Sequence, residues 1–155
     1  MRFLSLGGVL MVAAACAAVE PVAETTAAPA AADVTLGNGE ANAIETEGLR
    51  RSGNALIVPS VTAAANSWLV LHAFKDGRPD GQTYVGATYV PKGTSEDVAV
   101  SVEAGISPGQ PFLVMLHEDV DDDQVFDFVF VAENVVEDRA VFEGTTMIAH
   151  IITAP

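Results

Sequence analysis

From Asn54 onward, short apolar runs alternate with clusters of turn-forming residues. Leu56 to Val61 (LIVPSV) predicts a strand. Pro59 inside it predicts an edge position or a bulge, because proline brings no N–H to a ladder. Ser67 to Phe74 (SWLVLHAF) is apolar at both odd and even positions, the pattern of a strand buried on two faces. Lys75 to Gly81 (KDGRPDG) carries Asp-Gly twice and a proline, which is turn chemistry. Tyr84 to Val90 (YVGATYV) is aromatic and β-branched, and Pro91-Lys92-Gly93 ends it. Asp97 to Glu103 (DVAVSVE) alternates strictly, with Val98, Val100 and Val102 on one face, as in a half-exposed antiparallel strand. Beyond the turn at Ser107-Pro108-Gly109, Phe112–Leu116 and Val125–Val131 predict two more strands, joined through His117 and an acidic turn. Val141-Phe142 and Thr146–Thr153 close the chain.

Seven to eight short strands in about 100 residues, separated by regular turns, predict an all-β fold. The expected architecture is an antiparallel β-sandwich of immunoglobulin-like type. The Cys–Trp–Cys signature of true immunoglobulin domains is absent, although Trp68 is expected in the core. Leu69, Leu71, Val98, Val100, Leu113, Met115, Phe126 and Phe128 are the residues expected to be buried.

The pattern differs before Asn54. Met1-Arg2 supplies one positive charge, and Phe3 to Ala15 (FLSLGGVLMVAAA) is apolar and uncharged. This layout predicts a signal peptide over residues 1–15. The run falls short of the roughly 20 apolar residues that a membrane span needs. Ala13, Ala14 and Ala15 lead into Cys16, which resembles the lipobox of bacterial lipoproteins, where the cysteine is acylated and becomes the N-terminus. The leucine usual three residues before the cysteine is Ala13 here, so an exported soluble protein, periplasmic or secreted, is the alternative. Ala17 is not the aspartate that marks inner-membrane retention, and the resemblance therefore implies the outer membrane. Residues 16–52 are rich in Ala, Glu, Thr and Pro and lack a run of large apolar residues. They predict a flexible linker behind the lipidated residue, with at most a marginal helix over Glu40–Arg51. Arg50-Arg51 reads as a solvated charge pair or a protease site. The β-sandwich domain is expected over residues 53–155.

Composition narrows the possible partners. The net charge is −14, with only seven lysines and arginines. Nucleic acid is excluded as a partner, since such binding needs clustered basic residues. The same holds for electrostatic binding to anionic lipid, so contact with a membrane is expected through the lipid anchor. A single cysteine excludes an intrachain disulfide, a zinc finger and a Cys-x-x-Cys redox pair.

Two segments echo each other. Leu69-Val70-Leu71-His72 is followed by Asp76-Gly77, and Val114-Met115-Leu116-His117 by Asp119 and Asp121. With Gly86 in YVGATYVPKGT, the run EDVAVSV, and FDF after the acidic turn, these residues resemble a small β-domain family. That family has no assigned function and recurs in surface proteins of halophilic archaea and in bacterial lipoproteins. The resemblance covers Asn54 to Pro155. It implies an extracytoplasmic β-sandwich and no known activity.

Two constellations could carry chemistry. Asp119, Asp121, Asp123 and Asp127 match positions 1, 3, 5 and 9 of a calcium loop, whose alternate carboxylates converge on one hard cation. Gln124 stands where such a loop has glycine, and Phe130 where it has a closing glutamate. A looser calcium site in a hairpin and a solvated acidic turn are the two readings, and the second needs fewer assumptions. His72 and His117 could lie near one end of the sandwich and form a polar or metal site. Histidines hydrogen-bonded at strand ends are the simpler account. No G-x-S-x-G, P-loop or H-E-x-x-H motif is present. The expected function is a non-enzymatic envelope lipoprotein that binds or supports an envelope protein or glycan, with no cofactor unless calcium. The alternatives are a calcium-binding module using residues 118–127, and an envelope enzyme working through His72, His117 and nearby acids.

Overall fold

In the computed structural model, residues 33–127 and 138–155 are described, and all of them belong to a unit spanning Ala32–Pro155. Among the described residues there are twelve strands and no helix. In chain order the strands are β1 (Thr35–Gly37), β2 (Ala43–Glu45), β3 (Arg50–Ser52), β4 (Ala55–Ala63), β5 (Ser67–Lys75) and β6 (Arg78–Pro79). They continue with β7 (Gly86–Val90), β8 (Gly93–Ser101), β9 (Pro111–Glu118), β10 (Arg139–Ala140), β11 (Phe142–Glu143) and β12 (Thr146–Thr153). The larger sheet runs β1-β12-β9-β5-β6, with β7 also on β5, β10 on β9 and β11 on β12. It is mixed, because β1 lies parallel to β12. The smaller sheet is antiparallel and centres on β4, between β8 on one side and β2 with β3 on the other. Two sheets packed face to face agree with the expected sandwich.

The alternation in the sequence explains the core. Leu56, Val58, Val98 and Val100 from the smaller sheet meet Leu69, Leu71, Phe112, Val114, Leu116 and Ile148 from the larger one. Each fully buried aliphatic or aromatic side chain contributes roughly 1.5–3 kcal/mol. The exposed Arg50–Asp97 ion pair contributes at most about 1 kcal/mol. The interior therefore decides the fold. The six expected core residues from Leu69 to Met115 are all buried. Phe126 is half-buried, and Phe128 lies outside the described residues.

Strand β5 is apolar on both faces because the larger sheet has a second covered face. There Val70, Leu113, Met115 and Ala149 are buried, with Trp68, Phe126 and Met147 packed on them. Trp68 is accordingly half-buried on this outer face and absent from the main core. Gly86 shows how closely β7 passes β8. A Cβ there would sit 2.3 Å from the Ser101 carbonyl oxygen, so only glycine fits.

Three expectations need correction. The folded unit does not wait until residue 53: β1, β2 and β3 all lie within the predicted linker, and Glu40–Arg51 holds strand in place of a helix. Their one large buried side chain is Ile44. Polar contacts supply the rest. The Glu143 carboxylate accepts hydrogen bonds from the backbone N–H groups of Glu40, Ala41 and Asn42, and Asn38 Oδ1 accepts from Ile44 N–H. Arg51 donates to the carbonyls of Ile106 and Pro155, so the Arg50-Arg51 pair is built into β3. Second, Pro59 is on neither an edge nor a bulge. The β4–β8 register is unchanged across it, from Val58↔Val98 to Ser60↔Glu96. Pro59 is tolerated because pairing lapses there, between the β3 and β2 partners on one side and opposite Asp97, at φ 52°, on the other. Third, Val125–Asp127 is not strand. The remainder of the predicted Val125–Val131 strand lies outside the described residues. What pairs with the end of β9 is β10, through Arg139↔Glu118 and Ala140↔His117.

Candidate functional site

The acidic stretch leaves β9 at Glu118 and turns back over the outer face of the larger sheet. Asp119 N–H donates to the Asn66 carbonyl, and Asn66 Nδ2 donates to Asp122. Asp121 accepts from the Asp123 N–H, and Asp123 from the Val125 N–H. These short-range bonds let Asp122 and Gln124 adopt φ 60° without glycine. Gln124, placed where a calcium loop has glycine, thus makes a left-handed turn all the same. Phe126 then packs edge-on against His117 and Tyr84 and obliquely on Trp68.

Two of the four aspartates singled out by spacing meet a carboxylate from outside the loop. Asp119 and Asp121 come together with Asp138, one carboxylate oxygen from each lying within 4.8 Å of the others. Asp123 is tied to Val125, and the Asp127 backbone N–H donates to Asp138 at 2.8 Å. Asp119 is 3% exposed and Asp138 1% exposed. Asp138 accepts from two backbone N–H groups, those of Val120 and Asp127. Asp119 Oδ2 accepts one from Gln124, while Asp119 Oδ1 is buried and has no hydrogen-bond partner among the described residues. Burial and the neighbouring acids push both carboxyls above the usual carboxylate range, burial being the larger cause. Among the described residues no lysine or arginine pairs with the cluster, since Arg139 bonds Glu118. Oxygen ligands alone, with no sulfur and no imidazole, suit a hard cation.

Asp138 escapes sequence reasoning because it lies far along the chain from Asp119. The β9–β10 pairing brings it back, and a two-residue strand has no hydrophobic signature.

His72 and His117 are both fully buried on the outer face. By register they lie towards opposite ends of the β5–β9 pair, His72 opposite Leu113 and His117 opposite Trp68. Their rings nonetheless lean together to 5.9 Å between centroids, 30° from parallel. His72 Nδ1 lies 2.7 Å from the Thr83 carbonyl and 3.1 Å from that of Asp80; His117 Nδ1 lies 3.1 Å from the Asp138 carbonyl. A carbonyl only accepts, so Nδ1 carries the proton in both. Burial pushes both imidazoles down, His117 to about 4. Each is neutral at pH 7. Three surface hollows are lined by residues such as Tyr84 and Glu103, Asp76 and Gln82, and Asn42 and Phe142, and none of the three is lined by either histidine.

Fold and site together define a two-sheet, all-β domain with a covered outer face and an acidic cluster at the end of β9. Residues 42–152 match the model of a domain family of unknown function, DUF7282, and the chain belongs to that family. No curated protein and no solved structure matches the chain.

Proposed function

We propose that the protein is an exported, non-enzymatic module of the cell envelope, anchored through a lipidated Cys16. Its β-sandwich serves as a binding or structural unit towards an envelope protein or glycan. The observation that carries this is the lone cysteine, set directly behind three alanines at the end of an uncharged apolar stretch. We read the resemblance noted in the sequence as one to surface proteins of halophilic archaea and to bacterial lipoproteins, and that reading supports an extracytoplasmic site. We read the sandwich as immunoglobulin-like, which the antiparallel pairing of the long strands supports. An enzyme working through His72 and His117 would need a substrate to reach two side chains closed off from solvent. Acyl chains buried in the bilayer would hold the module at the membrane, outer membrane in a Gram-negative cell, without a spanning helix. Substitution Cys16→Ser in the full chain is expected to move the protein from the membrane to the soluble fraction and to abolish incorporation of labelled palmitate. Unchanged fractionation and labelling would overturn the anchor.

A further inference from the structure

The acidic cluster has a feature that a solvated turn does not need. A solvated turn keeps its carboxylates in water, where their repulsion is screened. Here two of the three are withdrawn from water: Asp119 is 3% and Asp138 1% exposed. Burying like charges side by side is costly unless something of opposite sign joins them. Among the described residues no basic side chain does so. Backbone N–H groups occupy both oxygens of Asp138 but only one of Asp119, so Asp119 Oδ1 is a buried acceptor without a donor among the described residues. It belongs to the carboxylate that approaches Asp121 and Asp138.

We infer that Asp119, Asp121 and Asp138 form a calcium site that pins the chain leaving β9 to the start of β10. The three oxygens lie within 4.8 Å of one another, and opposite ligands of a calcium ion stand about 4.6–5.2 Å apart. Asp121 is exposed and leaves the site open on one side, where water completes the shell of a cation that takes six to eight ligands. This differs from the spacing-based set in two ways. Asp123 and Asp127 are not ligands, and Asp138, beyond the loop, is. The ion therefore bridges two distant points of the chain and does more than decorate one turn. Phe126, which seals the outer face over Trp68 and His117, sits between those two points in sequence. Calcium binding is thereby coupled to the packing around Trp68, the one tryptophan of the chain. The site stands independently of the anchor at Cys16.

The test is thermal unfolding of the full chain, with calcium chloride against EGTA, followed by Trp68 fluorescence. Calcium at millimolar concentration is expected to raise the Tm by about 5 °C or more. Asp138→Asn and Asp119→Asn each remove a negative charge from the cluster while keeping side-chain size. Both are expected to lose the calcium response. Asp119→Asn, which replaces an oxygen without a donor, should melt at or above the wild-type apo temperature, whereas Asp138→Asn gives up one acceptor of a backbone N–H and should melt below it. Asp123→Asn is expected to retain it. An identical wild-type melt in calcium and EGTA would overturn the site. So would an undiminished response in Asp138→Asn, or a response lost only in Asp123→Asn.

Discussion

The residues that matter most are buried polar ones, and their ionisation sets how the fold responds to acid. His72 is held neutral, with Nδ1–H given to the Asp80 and Thr83 carbonyls and its basicity lowered by burial. In the unfolded chain a histidine takes up a proton near pH 6.5, whereas the folded one resists it. Its contribution is therefore fully present above that pH and declines as the pH falls towards the depressed folded value. Glu143 acts in the same direction at lower pH. Its ionised carboxylate gathers N–H groups of residues 40–42, which depresses its pKa, so its stabilisation is lost as it protonates. In EGTA, His72 and His117 are expected to lower stability as the pH falls from 7 towards 5, while Asp119 and Asp138, whose carboxyls are pushed up, act in the opposite direction. His72→Asn keeps a donor near the Nδ1 position and does not titrate, so its stability should gain on that of the wild type as the pH falls over that interval. Equal slopes for the two proteins, from denaturant melts at each pH, would contradict the assignment. Gly39 belongs to the same network, because a Cβ there would lie 2.1 Å from the Glu143 carboxyl carbon.

At the scale of elements, the fold depends on close approach and on strands without a hydrophobic pattern. Gly86→Ala would drive a methyl group into the Ser101 carbonyl and push β7 from β8. A loss of about 1–3 kcal/mol is expected in urea unfolding, and a wild-type midpoint would refute the contact. Strands β4, β5, β8, β9 and β12 are legible in the sequence because each carries a period of two or a solid apolar run. The Asp76-Gly77 turn is legible too, and both residues take positive φ, 52° and 79°. Strands β1 to β3 are not, because one isoleucine, Ile44, is their only large buried side chain and the rest of their hold comes from Glu143, Asn38 and Arg51. A chain beginning at Gly53 would lose them and uncover the edges of β4 and β12. It is expected to aggregate or unfold, whereas a chain beginning at Ala32 should melt as the full-length protein does. Equal melts for the two truncated forms would contradict a structural role for β1 to β3.

At the scale of the whole molecule, the proposed membrane address comes before a β-sandwich whose acidic cluster lies at the end of β9. The candidate site is half legible in the sequence: the D-x-D-x-D spacing points to Asp119 and Asp121, but chain pairing alone brings in Asp138. The histidines are legible as a pair, but their burial on a second apolar face is not, because nothing in the local pattern tells a covered outer face from an inner one. Net charge of −14 makes the molecule sensitive to divalent cations in general, and only a specific site distinguishes binding from screening. The most direct measurement is a crystal structure grown in calcium. One ion is expected at about 2.3–2.6 Å from carboxylate oxygens of Asp119, Asp121 and Asp138 together. Water or a basic side chain in that position at saturating calcium, or an ion held without Asp138, would contradict the site.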